Sequence, residues 1–275
     1  MIVINVENFD ALVLDMDGVI TETATVHARA WKRVFDEFLQ RRAAQTHEAM
    51  APFDLDNDYR RYVDGKPRIA GAQSFLAARK IDLPAGTPAD ADAGSDTTAN
   101  GLAGRKDRYF NEILASEGVH AFPGAVTLLH DAHRRGIRLA VATSSHHGAE
   151  ILQATRLADL FQVRVDGFDI DRLRLKGKPS PDMFLEAARR LGVDPRRAAV
   201  FEDATAGVAA GHAGGFGLVV GVGSGAQAEA LLQNGANEVV TSLGDVSLQG
   251  GRPAAVRRVP KEATDRDRTN PLARP

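Results

Sequence analysis

An α/β fold with a parallel sheet is the class this 275-residue sequence predicts, and three observations predict it. First, short apolar runs recur, uninterrupted at Ala11–Leu14 and Ala198–Phe201 and near-continuous at Leu218–Val222 and at Ile137–Ala142, which is broken only by Arg138. Such runs read as parallel strands buried on both faces. Second, helical patterns separate the runs from Phe122 onward, and strands alternating with helices imply a sheet covered on both sides. Third, the roughly hundred residues between the first run and Phe122 lack this alternation and carry helical patterns only. The expectation is a Rossmann-like three-layer parallel-sheet core, residues 1–22 and 120–245, interrupted by a helical cap over 23–119.

The elements follow in order. After Ala11–Leu14, the residues Val26, Ala30, Trp31, Val34, Phe35 and Phe38 fall at spacings of three and four, which predicts a helix. Residues 41–80 are mixed and polar, with a turn expected at Asp64-Gly65-Lys66-Pro67. Asp82–Gly101 is rich in Asp, Ala, Gly, Thr and Pro, lacks periodicity and reads as a flexible loop. A second helix is expected over Arg105–Ser116, presenting Tyr109, Phe110, Ile113 and Leu114. In the core, a helix over Ala125–Arg135 stops at Gly136, and the strand Ile137–Ala142 leads into Thr143-Ser144-Ser145. A helix through Ile151 and Leu152 and a short strand at Val163–Val165 come next. Ser180-Pro181 reads as an N-cap and first turn for a helix carrying Met183, Phe184, Ala187, Ala188 and Leu191. Ala198–Phe201, Leu218–Val222 and Glu238–Val240 complete the strands. From Gly251 onward the chain is Arg- and Pro-rich and is expected to be a disordered tail.

Composition excludes several function classes. A formal net charge of -2 supplies no global field for nucleic acid or acidic membranes. The absence of cysteine removes disulfides, thiolate metal sites and cysteine nucleophiles. No apolar stretch approaches the roughly 18–20 residues of a membrane span. Residues 1–10 hold two acids and no base, unlike the entry of a signal peptide. A cytoplasmic monomer acting on a small molecule is the expectation.

The chemistry gathers where strands end. Asp15 and Asp17 follow the first apolar run, and Gly18 lets the backbone turn behind them. Thr143 and Ser144 follow the second run, Lys178 comes shortly after the next strand, and Glu202 and Asp203 end another. Ligands in open α/β sheets collect at the carboxyl ends of strands. A hydroxyl with neighbouring backbone amides suits phosphate oxygens, a lysine supplies positive charge, and carboxylates suit Mg²⁺, which takes oxygen ligands. These are the parts of a phosphoryl-transfer site, in which positioning and charge neutralisation do most of the work.

Asp15-Met16-Asp17-Gly18-Val19-Ile20, Thr143-Ser144-Ser145, Gly177-Lys178-Pro179-Ser180-Pro181-Asp182 and Phe201-Glu202-Asp203-Ala204 resemble, in order, the four motifs of the haloacid dehalogenase superfamily. Thr23-Ala24 followed by His27 and Trp31 makes the chain similar to its β-phosphoglucomutase branch. The resemblance spans about residues 9–242 and implies the following roles. Asp15 is the nucleophile that forms an aspartyl-phosphate, and Asp17 is the general acid–base. Mg²⁺ is held by Asp15, the Asp17 carbonyl and Asp203, with Glu202 a ligand or just behind one. Lys178 neutralises charge between Asp15 and the phosphate. Thr143, with Ser144 and Ser145, holds the transferring group.

Substrate choice falls to the cap. Lys66 and Arg68 flank the expected turn, where Arg68 suits bidentate contact with a second phosphate or a solvated basic surface. His27 and Trp31 lie one helical turn apart near the hinge; Trp31 fits helix packing and sugar contact equally. One departure from the branch is His146-His147, which stands where characterised mutases have Lys-Asn after the second motif. His146 is therefore a candidate for substrate contact. The leading expectation is Mg²⁺-dependent interconversion of β-glucose 1-phosphate and glucose 6-phosphate. The alternative is a phosphatase that hands the same aspartyl-phosphate to water. A third reading, a silent binding domain, is disfavoured by the intact Asp15–Asp17 pair.

Overall fold

The computed structural model describes residues 1–250, so the expected disordered tail at 251–275 lies outside the described residues. The central layer is a six-stranded parallel sheet built from β2 (Ala11–Leu14), β3 (Arg138–Ala142), β4 (Val163–Val165), β5 (Ala198–Glu202), β6 (Leu218–Val222) and β7 (Glu238–Val240). Its spatial order is β4-β3-β2-β5-β6-β7. The chain runs outward from β2 through β3 to β4, then returns to the other side of β2 to lay down β5. The order therefore reverses between β2 and β5, and the crevice at that reversal is where such sheets bind ligands.

Side chains alternate between the two faces, as the pleat requires. Leu12, Leu14, Leu139, Val141 and Phe201 enter one apolar cluster with α5 (Pro123–Arg134) and α6 (Gly148–Ala154). Ala11, Val13, Ala140, Ala142 and Val200 enter the other, with α8 (Asp182–Leu191), α9 (Thr205–Ala213) and α10 (Gly225–Gln233). These three short strands thus serve two cores at once, which is why they read as near-continuous apolar runs.

Between β2 and α5 lies a helical insert: α1 (Thr23–Thr46), a π-helix at Leu55–Val63, α2 (Arg68–Ala78), α3 (Pro88–Ala93) and α4 (Ala99–Glu117). It has its own apolar cluster, in which the Phe35 ring meets Trp31 at 4.9 Å, Phe53 at 4.9 Å and Phe75 at 4.3 Å. Val26, Ala30 and Phe110 instead join the first core cluster, so the start of α1 and the middle of α4 root the insert on the sheet layer.

Several expectations change. The segment 82–101 is not a flexible loop. Thr87 N–H and Oγ1 both donate to Asp90 Oδ2, starting α3, and the Ala99 and Asn100 amides donate to the Pro84 and Ala85 carbonyls. Its large apolar groups are few because glycines make the contact: a Cβ at Gly101 or Gly104 would strike the backbone of Ser95 or Ala91. Buried Arg105 pairs with Asp96 and Glu37, pinning the segment to α1 and α4. The polar stretch 41–80 holds the end of α1, the π-helix and α2. Ser180 does not cap α8; its hydroxyl donates to Asp182 Oδ1 at 2.7 Å, and Pro181 occupies the cap position. A short α7 (Gly167–Leu173) follows β4. The strands β1 (Ile2–Asn5) and β8 (Val246–Gln249) pair in parallel as a separate two-stranded sheet, so the ordered core reaches past residue 245. Among the described residues, no helix is long and apolar enough to cross a membrane.

Gly104→Ala tests the packing of 82–101 by its sign. Helix propensity alone stabilises such a change by about 0.5–1 kcal/mol. Against the Ala91 backbone it should instead destabilise by about 1–3 kcal/mol in urea unfolding. A net gain would show the segment detached from α4.

Candidate active site

The carboxyl ends of β2, β3 and β5 and the underside of the insert line a shared cleft. Asp15 follows β2 directly, and its amide donates to the Phe201 carbonyl at 2.9 Å, continuing the ladder to β5. Asp15 Oδ2 accepts the Asp17 amide at 2.9 Å, and Oδ1 accepts from Lys178 Nζ. Lys178 Nζ also donates to Glu202 Oε1 at 2.5 Å, and the lysine side chain is wholly buried. Burial alone would discharge this lysine, but the two carboxylates reverse that and hold its pKa above the ordinary range. Burial also pushes Asp15 well up, only partly offset by Lys178.

Asp17 is set differently. Burial would raise it, but His27 and hydroxyl donors outweigh burial and hold the carboxyl below the usual range. Thr23 Oγ1 donates to its Oδ1 and Thr143 Oγ1 to its Oδ2, the latter at 3.1 Å. His27 Nε2 comes within 3.3 Å of Oδ1. Burial and the nearby Lys106 charge push His27 down to about 4, so the imidazole is neutral at pH 7. Thr23 opens α1, so the network on Asp17 spans the junction of sheet layer and insert.

The acidic pair after β5 divides its labour. Glu202 is fully buried; Oε1 meets Lys178, and Oε2 accepts the Ala204 amide at 2.7 Å. Of the two places expected for Glu202, a metal ligand or just behind one, these bonds favour the second: its carboxylate does not line the cleft and it orients Lys178. Asp203 does line the cleft. Gly18, at φ +90°, is required beside it, because a Cβ there would fall on the Asp203 carboxylate. That carboxylate has no hydrogen-bond or ion-pair partner among the described residues. Burial, with the charges of Asp64, Glu202 and Asp15, pushes its pKa well up. The described residues hold no ready-made cluster of three metal-ligating side chains. What remains is an all-oxygen set, Asp15, Asp17 and Asp203, with more negative charge than Lys178 neutralises. That donor chemistry fits a hard divalent cation completed by phosphate oxygens and water.

The second-motif hydroxyls are committed within the protein. Ser144 Oγ donates to the Gly65 carbonyl at 3.2 Å, tying the insert's turn to the loop after β3. The Ser145 amide donates to Thr143 Oγ1 at 3.0 Å, and Ser145 Oγ accepts the His147 amide at 3.1 Å. The expected turn at 64–67 lies over the cleft, bringing Lys66 and Arg68 into its wall. Lys66 Nζ donates to Ser74 Oγ at 3.0 Å. Arg68, the first residue of α2, pairs with Asp107. Trp31 lines the cleft and also stacks on Phe35, so packing and cleft-lining coexist. His146 lines the cleft and pairs with Asp171 at 2.9 Å.

Several cleft residues carry no site role in the sequence reading, among them Tyr59, Asp64, Lys106, Asp107 and His147. Asp64 sits on the expected turn itself; burial, then Glu202, pushes it up to about 7. Lys106 is buried with Nζ 4.5 Å from the Phe110 ring, and burial lowers it to about 7. In sequence it is one more charge in a basic run on an amphipathic helix, with nothing to mark it as buried.

A model of the haloacid dehalogenase-like hydrolases matches residues 9–215. The chain belongs to that family. This haloacid dehalogenase-like chain is 44% identical over 243 residues to the beta-phosphoglucomutase of Mycobacterium tuberculosis, covering 87% of this chain and 92% of that one. It is 30% identical over 240 residues to the beta-phosphoglucomutase of Bacillus subtilis, with 87% and 92% covered. Among solved structures, a CbbY mutant from Rhodobacter sphaeroides in complex with xylulose-(1,5)bisphosphate superposes with a TM-score of 0.65 at 26% identity, covering 87% and 97%. The protein is an enzyme of the phosphatase and phosphomutase class of this family.

Lys178→Met leaves two buried carboxylates without their cation and should cost about 3–5 kcal/mol at pH 7. A carboxylate with a raised folded-state pKa binds protons more readily folded than unfolded, so the deficit should shrink as pH falls from 7 to 5. Urea unfolding across that range reads it; a pH-independent loss would point to packing rather than charge.

Proposed function

We propose that this chain is a β-phosphoglucomutase, interconverting β-glucose 1-phosphate and glucose 6-phosphate through an aspartyl-phosphate on Asp15. The observation that carries this reading is the two-ended charge of the cleft: Asp15 with Lys178 at the sheet, and Lys66, Arg68 and Lys106 on the insert opposite. A monophosphate needs only the first end. A sugar that carries phosphate at either of two carbons needs both. The 44% identity to a beta-phosphoglucomutase supports the same choice, and the insert would act as a cap closing over the sugar.

In this reading Asp15 attacks phosphorus, and the bond from phosphorus to the sugar oxygen breaks. Asp17, kept ionised by its two hydroxyl donors, takes the proton of the sugar hydroxyl that attacks the phospho-aspartate. It returns that proton to the oxygen leaving in the opposite half-reaction. Lys178 neutralises charge on Asp15 and the moving phosphoryl group, and Glu202 holds Lys178 in place. Mg²⁺, held by Asp15, Asp17 and Asp203, would supply further charge neutralisation at the phosphoryl oxygens. The insert would exclude water, so that the phosphoryl group passes to sugar rather than being hydrolysed.

Sugar phosphates assayed with and without glucose 1,6-bisphosphate test the reading. Isomerised product stimulated by the bisphosphate is expected; free phosphate as the sole product would make the enzyme a phosphatase. Asp15→Asn should reduce both activities by about a thousandfold or more. Asp17→Asn should slow turnover of sugar phosphates by roughly 10²–10⁴ while largely sparing attack on an aryl phosphate, whose leaving group needs no proton. Equal losses on both would remove Asp17 from acid–base duty. Asp203→Ala should raise the Mg²⁺ concentration for half-maximal activity at least about tenfold, and an unchanged requirement would place the ion elsewhere.

A further inference from the structure

On the insert side of the cleft, one carboxylate occupies the middle of a cluster of basic side chains led by the Arg68 guanidinium. Asp107 Oδ2 pairs with the Arg68 guanidinium from the start of α2. Its Oδ1 lies 3.6 Å from Lys106 Nζ on α4 and 4.0 Å from His147 Nε2 on the loop after β3. Three basic groups from three elements thus converge on one singly charged anion. The set is not saturated: His147 Nε2 is buried without any hydrogen-bond partner, while its Nδ1 is bound 3.0 Å from Glu150. The His147 ring stacks on Phe110 at 4.9 Å, and Phe110 stacks on His27 at 4.1 Å, so the imidazole is held rather than free to turn away. A carboxylate offers two oxygens and one charge where the surrounding groups suit a phosphate, with three free oxygens and up to two charges.

We propose that Asp107 is a built-in anion occupying the insert's phosphate subsite, displaced from Arg68 when a substrate's second anionic group enters, so that Asp107 sets the enzyme's selectivity between ligands with one and two such groups. The inference deepens the two-ended site of the proposed function and rests on that reading for the second phosphate. Asp107 is tethered to α4 by a short side chain. After displacement its charge remains beside the incoming anion and penalises it. Only a ligand anchored at Asp15 as well overcomes that penalty, which keeps inorganic anions from filling the insert unaided.

The test is binding by calorimetry to the full chain carrying Asp15→Asn, which prevents turnover, with and without Asp107→Asn. The probes are glucose 1,6-bisphosphate and 4-nitrophenyl phosphate. Asp107→Asn keeps the volume and removes the charge, so the Kd ratio of aryl phosphate to bisphosphate should rise by about fivefold or more. An unchanged ratio, or weaker bisphosphate binding, would overturn the proposal; the second result would make Asp107 an organiser of the cations instead. Asp107→Ser, with the melting temperature of each protein, separates a charge effect from misfolding, and must shift the ratio in the same direction. The measurement is independent of isomerase activity: a wild-type enzyme that only hydrolyses its substrate would sink the mutase reading and leave this one standing.

Discussion

The Lys178 ammonium between Asp15 and Glu202 is the interaction on which the rest of the site depends. Two buried carboxylates at neighbouring strand ends repel each other. A single wholly buried cation bonded to both makes their coexistence possible. Removing the lysine leaves two uncompensated carboxylates in a dry place, and removing either carboxylate takes one of the ammonium's two bonds. The same arrangement aims one Asp15 oxygen at the lysine and keeps the nucleophile oriented. Glu202 contributes without touching the cleft.

The fold explains why these groups meet at all. β2 lies between β3 and β5, and the sheet reverses its order beside it, opening a crevice above three strand ends. The paired registers Leu14 to Val141 and Leu14 to Phe201 bring those strands to a common level. Asp15, Thr143 and Asp203 then emerge within reach of one another. The insert is rooted at the same place, through Thr23 on Asp17 and Ser144 on the Gly65 carbonyl. Any movement of the insert is thus coupled to the hydrogen bonds that set Asp17.

Much of this was legible because it is local. Ala11–Leu14 and Ala198–Phe201 declare themselves as strands by unbroken apolarity, and Val26 to Phe38 declare a helix by spacing. The acidic and basic groups are visible because they stand where apolar runs stop. What was hidden depends on partners distant in sequence or on backbone. Ile2–Asn5 becomes a strand only because Val246–Gln249 pairs with it. Residues 82–101 pack through carbonyls against Gly101 and Gly104, leaving composition that mimics disorder. Nothing in the sequence marks Lys106 and Asp107 as site residues, yet the Phe110 ring lies against the first and Arg68 pairs with the second. Glu202 and Asp203 are adjacent acids in sequence, and only the strand's alternation turns one toward Lys178 and the other toward the cleft.

The central claim is that Asp15 accepts the phosphoryl group. Mass spectrometry of acid-quenched enzyme, taken during turnover of β-glucose 1-phosphate, tests it most directly. The account predicts a phosphoryl increment on the peptide containing Asp15 that disappears in Asp15→Asn. A phosphoryl group on any other residue, or its persistence in that variant, would contradict it.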